Sequence, residues 1–153
     1  MKQGSGFQFG LPMTQAVKVL VIAHVAIWFI GQVVLEGLFR VRWTLPLNLV
    51  PSRLLFEYAL WQPFTYMFLH STNITHILFN MLMLWLFGAE VEQKMGTKRF
   101  FWFYIINGVG AALIYCFGLA IYAAITGSQA GLFVPVVGAS GALFGVMLAY
   151  GWF

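Results

Sequence analysis

Residues 74–126 read ITHILFNMLMLWLFGAEVEQKMGTKRFFWFYIINGVGAALIYCFGLAIYAAIT, and this stretch decides the fold. Two apolar runs, Ile74 to Val91 and Phe100 to Thr126, flank Glu92-Gln93-Lys94-Met95-Gly96-Thr97-Lys98-Arg99. A charged turn holding a glycine suits the end of one helix and the start of the next. Each run is long enough to cross a bilayer, which takes roughly 20 apolar residues. The second, at 27 residues, exceeds that need and should tilt or project.

The pattern extends in both directions. From Ala16 to Phe39 the chain is almost continuously apolar, with His24, Gly31 and Gln32 as interruptions, which predicts a first span. His24 falls about one and a half turns beyond Lys18, so it is expected near the headgroups, although intramembrane titratable groups usually face the bundle interior. Between Arg40 and Pro63, prolines at 46, 51 and 63 break the run among Trp43, Tyr58, Trp61, three Arg and Glu57. Such a mixture suits a long loop lying partly in the outer leaflet, where it either covers a site or serves as an ordinary interfacial loop. Gly127 to Pro135 forms another loop, and the last helix begins close to Ser140. Its 14 residues to Phe153 cover roughly 21 Å, short of the roughly 30 Å core, so the natural protein is expected to continue.

Composition agrees. Of 153 residues, 61% are hydrophobic and 8% charged, far from the roughly 25% charged of a soluble domain. The expected class is an all-α integral membrane protein, a polytopic bundle with four spans in one domain over residues 16–153, preceded by a lead-in at 1–15. The formal charge of +4 marks topology and does not point to nucleic acid. Lys2, Lys18, Lys94, Lys98 and Arg99 oppose Arg40, Arg42 and Arg53, which places the N-terminus in the cytoplasm by the positive-inside rule. The first run is too long for a signal peptide and lacks a cleavage site. The single Cys116 excludes an intrachain disulfide and a cysteine metal site; it reads as a small core residue.

The chemistry gathers at four polar residues, His70, His76, Asn80 and Ser140. Gly138-Ala139-Ser140-Gly141 sets a hydroxyl among small residues at the head of an apolar segment, where a group without a partner costs roughly 2–7 kcal/mol. It must face a wet cavity or find a partner. His76 and Asn80, four apart, share a helix face and can donate toward one point, as a developing oxyanion requires. The same pair can instead bridge helices. Gly141 and Gly145 form a small-xxx-small pair suited to close helix packing, compatible with either reading of Ser140.

Several of these segments, in order, resemble the rhomboid intramembrane serine proteases. Trp61-Gln62-Pro63-Phe64-Thr65-Tyr66-Met67-Phe68-Leu69-His70 is similar to the end of that family's first loop, His76-Ile77-Leu78-Phe79-Asn80 to its His-x-x-x-Asn, Val91-Glu92 with Gly96 to the turn after it, and Gly138-Ala139-Ser140-Gly141 to its Gly-x-Ser-Gly. The resemblance covers about Ala16 to Phe153. It implies a six-helix bundle, of which four spans are present, that cleaves transmembrane segments of other proteins within the bilayer. Ser140 would be the nucleophile; His76, Asn80 and the Ser140 amide would form the oxyanion hole; His70 would organise the first loop. Phe144 stands where an aromatic packs beneath the catalytic His, and Gly138 and Gly141 let other groups approach the hydroxyl. No metal or cofactor is implied. Gln62 departs from the family's frequent Arg, which should affect loop anchoring more than chemistry.

The family's base, a His on the sixth helix, is absent from this sequence. A serine hydroxyl is a poor nucleophile without a base. His24 is expected at the end opposite the site, and His70 and His76 match positions with other roles, so the 153-residue chain is expected to be inactive alone. The rival reading is a rhomboid-like pseudoprotease that binds transmembrane clients without hydrolysis. A small transporter or channel subunit lacks support, because no Asp, Lys or Arg marks an ion path through the middle of any span.

Overall fold

A computed structural model describes residues 12–153; the lead-in over 1–11 lies outside the described residues. Among the described residues there are six α-helices: α1 (Gln15–Ala26), α2 (Pro51–Phe56), α3 (Gln62–Thr65), α4 (Ile74–Met95), α5 (Thr97–Thr126) and α6 (Ser140–Trp152). With its continuation, α1 makes a single span of 24 residues, Gln15–Leu38, and joins α4 and α5 as three helices long and apolar enough to cross a membrane. The fourth expected span, α6, is apolar but short, as its length in the sequence requires. There is no strand among the described residues; one antiparallel bridge, Leu49 to Val136, ties the first long loop to the loop before α6.

The continuation of α1, Ile27–Leu38, is a π-helix over 12 residues. Stretches of that width are rare and usually confined to a single turn. Two features pin it in place. The indole of Trp43 lies over Gly31, where any Cβ would collide with the ring, and its Nε1 donates to the Gly31 carbonyl at 2.9 Å.

The turn between α4 and α5 is tighter than its charged sequence suggests. Helix continues through Glu92 to Met95, and Gly96 alone, at φ +82°, separates the two elements. A positive φ favours glycine because it has no Cβ to clash. Gly127, at φ +74°, closes α5 in the left-handed cap expected of a helix C-terminus.

At this end Glu92 is buried and bonds across the bundle. Its carboxylate accepts from the backbone N–H groups of Ala16 and Val17, both at 2.9 Å, from the Thr97 hydroxyl at 2.8 Å and from the Thr14 hydroxyl. A helix N-terminus leaves its first N–H groups without intrahelical partners and carries partial positive charge, so a carboxylate from another helix satisfies both needs. The buried stripe Ala16, Val17, Leu20, His24 then packs α1 on α4.

His24 corrects one expectation. It is fully buried, stacked on Phe68 at 4.9 Å and edge-on to His70 at 5.4 Å, with Nε2 sharing a hydrogen bond of 2.9 Å with the Tyr104 hydroxyl. Six residues from Lys18, it points to a different side of the helix, so the lysine reaches the surface while the imidazole enters the core.

The loop from 40 to 63 is more ordered than a simple connection. Gln62 is completely enclosed; its Oε1 accepts from Val50 N at 3.0 Å and its Nε2 donates to the Pro46 carbonyl at 3.3 Å. Trp61 Nε1 and the Thr65 hydroxyl donate to the carbonyls of Pro46 and Leu47. Gln62 is therefore an anchor of this loop.

Helix α6 lies against α5 and α4. A Cβ at Gly141 would meet Ala111 at 2.7 Å and the Tyr66 hydroxyl at 2.9 Å, and one at Gly145 would meet Asn107 Oδ1 at 2.1 Å. Small residues here set how closely the helices approach, as the Gly141/Gly145 spacing implies. The outward faces carry Ile106, Ile114, Phe117, Ile121, Ile125 and Leu148, all exposed, as a lipid-facing surface should be.

Candidate active site

Ser140 opens α6, directly after a backbone segment held in a special conformation. Gly138 has φ +128° and donates its N–H to the Tyr66 carbonyl at 3.0 Å. A Cβ on Gly138 would stand 3.0 Å from His76 Nε2 and 3.9 Å from the Ser140 hydroxyl. Both groups therefore border the small volume that the missing side chain leaves open. The Ser140 side is exposed and His76 is half-buried, so the volume is reachable. As the first residue of α6, Ser140 has a backbone N–H without an intrahelical acceptor, a further donor at the same point.

His76 lies one turn inside the N-terminus of α4, whose cap is Asn73. Its Nδ1 accepts from the Ser71 backbone N–H at 3.2 Å and lies 3.0 Å from the Ser71 hydroxyl. Asn80 sits one turn deeper and is buried. It does not stand as a second free donor with both N–H groups available, because Nδ2 donates to the His76 carbonyl at 3.0 Å; the other N–H of that amide remains. His76, Gly138 and Ser140 are thus brought together, and Asn80 braces the turn that carries His76.

His70 is fully buried behind His76, their rings 5.2 Å apart at 61°. Burial, and after it the neighbouring His76, holds the His70 pKa down to about 4, so the ring is neutral at physiological pH. Its backbone is clamped by Gln32 of the α1 continuation, which accepts from His70 N at 2.8 Å and donates to the His70 carbonyl. Tyr66 passes beneath Gly141 and donates to the Gly108 carbonyl at 2.9 Å; burial pushes its phenol up to about 12, keeping it a donor. Phe144 is exposed and supports no imidazole among the described residues.

Sequence reasoning missed Gln32, Trp28 and Ser71. Nothing in the local pattern pairs Gln32 with His70 across 38 positions. A polar amide in an apolar run was the available signal, since such groups must find partners. A cavity of about 320 Å³ opens between the loops at 45–57 and 133–135, and its lining includes neither Ser140 nor His76. No group of His, Cys, Asp and Glu able to hold a metal occurs among the described residues.

Comparison with known proteins follows the same residues. The family model of the Rhomboid domain matches residues 57–152. RHOMBOID-like protein 1 of Arabidopsis thaliana is 34% identical over 96 residues, 63% of this chain and 21% of that protein. RHOMBOID-like protein 5 of the same plant is 36% identical over 101 residues, covering 66% and 29% respectively. Rhomboid protease AarA of Providencia stuartii is 38% identical over 88 residues, covering 54% and 30%. The chain spans less than a third of the length of these relatives.

Proposed function

The chain belongs to the rhomboid family, and on that premise we propose that it forms part of an intramembrane serine endopeptidase acting on transmembrane segments of other proteins, with Ser140 as the nucleophile. One observation carries the reading: the bare backbone of Gly138 lets His76 Nε2 and the Ser140 hydroxyl border a single open point. Attack of the hydroxyl on a scissile carbonyl would develop negative charge there. The His76 N–H and the Ser140 amide would stabilise it, with the remaining Asn80 N–H able to join. Each such donor is worth roughly 2.7–4 kcal/mol.

The attack also requires a base. His24 is committed to Tyr104, His70 is enclosed, and His76 turns its acceptor nitrogen toward Ser71. None of the three therefore offers Ser140 an acceptor nitrogen, and the 153-residue chain alone is expected not to cleave a transmembrane reporter. We also place the end of the bundle holding Lys18, Lys94, Lys98 and Arg99 in the cytoplasm, with Ser140 toward the opposite face. The test is fluorophosphonate labelling of the full-length protein. Labelling lost in Ser140→Ala supports the nucleophile; absence of labelling in the wild type refutes it and favours a client-binding member that does not hydrolyse.

A further inference from the structure

The unassigned feature nearest the site is the two-residue segment His70-Ser71. Its backbone is held from a neighbouring helix: Gln32 brackets both the N–H and the carbonyl of His70, and Trp28 Nε1 donates to the Ser71 carbonyl at 3.0 Å. Trp28 and Gln32 both project from the π-helical continuation of α1. The segment so fixed aims a backbone donor at one atom, because the Ser71 N–H donates to His76 Nδ1, with the Ser71 hydroxyl 3.0 Å from the same nitrogen.

A ring nitrogen that faces a backbone N–H can only be an acceptor. Nδ1 is thus the lone pair of the neutral imidazole and Nε2 carries the hydrogen, the partner of one nitrogen fixing the state of the other. Nε2 is the atom that borders the open point between Gly138 and Ser140. The opposite tautomer would present a lone pair to a developing oxyanion and repel it.

We propose that Ser71, held by Gln32 and Trp28, is a positioning residue that fixes His76 as the Nε2–H tautomer and so makes it an oxyanion donor; the second half rests on the protease reading above. The first half is a statement about one imidazole and can be tested without catalysis. The measurement is long-range nitrogen–proton correlation on the ¹⁵N-histidine-labelled chain in detergent micelles, with His76 assigned by its loss in His76→Gln.

In the wild type, Nδ1 should be unprotonated and Nε2 protonated. Ser71→Pro removes the backbone donor, so the ratio of the two tautomers should move about five-fold toward Nδ1–H, the factor corresponding to one hydrogen bond of about 1 kcal/mol. Ser71→Ala removes only a hydroxyl that donates to one tautomer and accepts from the other, and should leave the ratio in place. Gln32→Met, which releases the backbone of His70, should shift the ratio in the same direction as Ser71→Pro and provides the test should Ser71→Pro fail to fold. A wild-type ring protonated on Nδ1, or a ratio unmoved by Ser71→Pro or, where that variant does not fold, by Gln32→Met, overturns the proposal. A ratio that responds while Ser140 never labels leaves the positioning role standing and removes the protease reading alone. In an active full-length protein, Ser71→Pro should lower kcat with KM unchanged.

Discussion

Replacing Glu92 by alanine should be among the most damaging single changes in this bundle. The carboxylate is buried and serves the N–H groups of Ala16 and Val17, which are themselves buried. Truncation leaves both donors without a partner, at about 1–3 kcal/mol each, or about 2–6 kcal/mol in all before the helix dipole is counted. Against a typical stability of roughly 5–15 kcal/mol that is a large fraction. Glu92→Gln keeps one acceptor oxygen and should cost about half as much. The assay is unfolding in mixed micelles by titration of a denaturing detergent, followed by far-UV circular dichroism and tryptophan emission. The half-buried neighbour Glu90 serves as control, with Glu90→Gln expected within about 0.5 kcal/mol of wild type. If Glu92→Ala also falls within that margin, the assignment of Glu92 as the cap of α1 is wrong. If Glu92→Gln is as damaging as Glu92→Ala, the charge and not the count of acceptors is what matters.

Three further outcomes follow from the same geometry. Gly138→Ala should abolish fluorophosphonate labelling of the full-length protein and cost about 1–3 kcal/mol of backbone strain, since the new Cβ meets His76 at a position of φ +128°; undiminished labelling would contradict the site geometry. Gly145→Ala should destabilise by about 1–3 kcal/mol through collision with Asn107, and Asn107→Ala in the same chain should recover part of the loss, a coupling read from a double-mutant cycle of melting temperatures. Because the His70 pKa falls from 6.5 in the unfolded chain to about 4 in the fold, the folded state binds fewer protons; its contribution is complete above pH 6.5 and is lost as pH falls toward 4. The loss amounts to about 3 kcal/mol, and His70→Gln should flatten that acid limb of stability against pH.

The helices were legible because their signals are local. Apolar runs set their lengths, and Gly96 and Gly127 mark the ends of α4 and α5 with positive φ. Ser140, Gly138 and His76 were legible as a set because the four segments occur in order. The placement of His24 was not, because it depends on helical face and not on distance along the axis from Lys18. His24 lies four residues beyond Leu20, which lies four beyond Ala16, and that stripe is the buried one. Asn80 shares the face of His76 as its spacing requires, yet spends one N–H on its own helix, since an amide one turn below a carbonyl can always satisfy it locally. The clamp of Gln32 on His70 depends on how two distant segments meet, which no local periodicity encodes.

The wide turns of Ile27–Leu38 also set a rule for sequence length. Trp28 and Gln32 reach His70 and Ser71 from this wide-turned stretch. A π-helix takes more residues per turn than an α-helix, so a deletion inside it is absorbed when one wide turn tightens to the α form, whereas a deletion within Gln15–Ala26 turns everything beyond it by about 100° about the axis. Single-residue deletions should therefore be better tolerated within Ile27–Leu38 than within Gln15–Ala26, a difference that a deletion scan of the span would display.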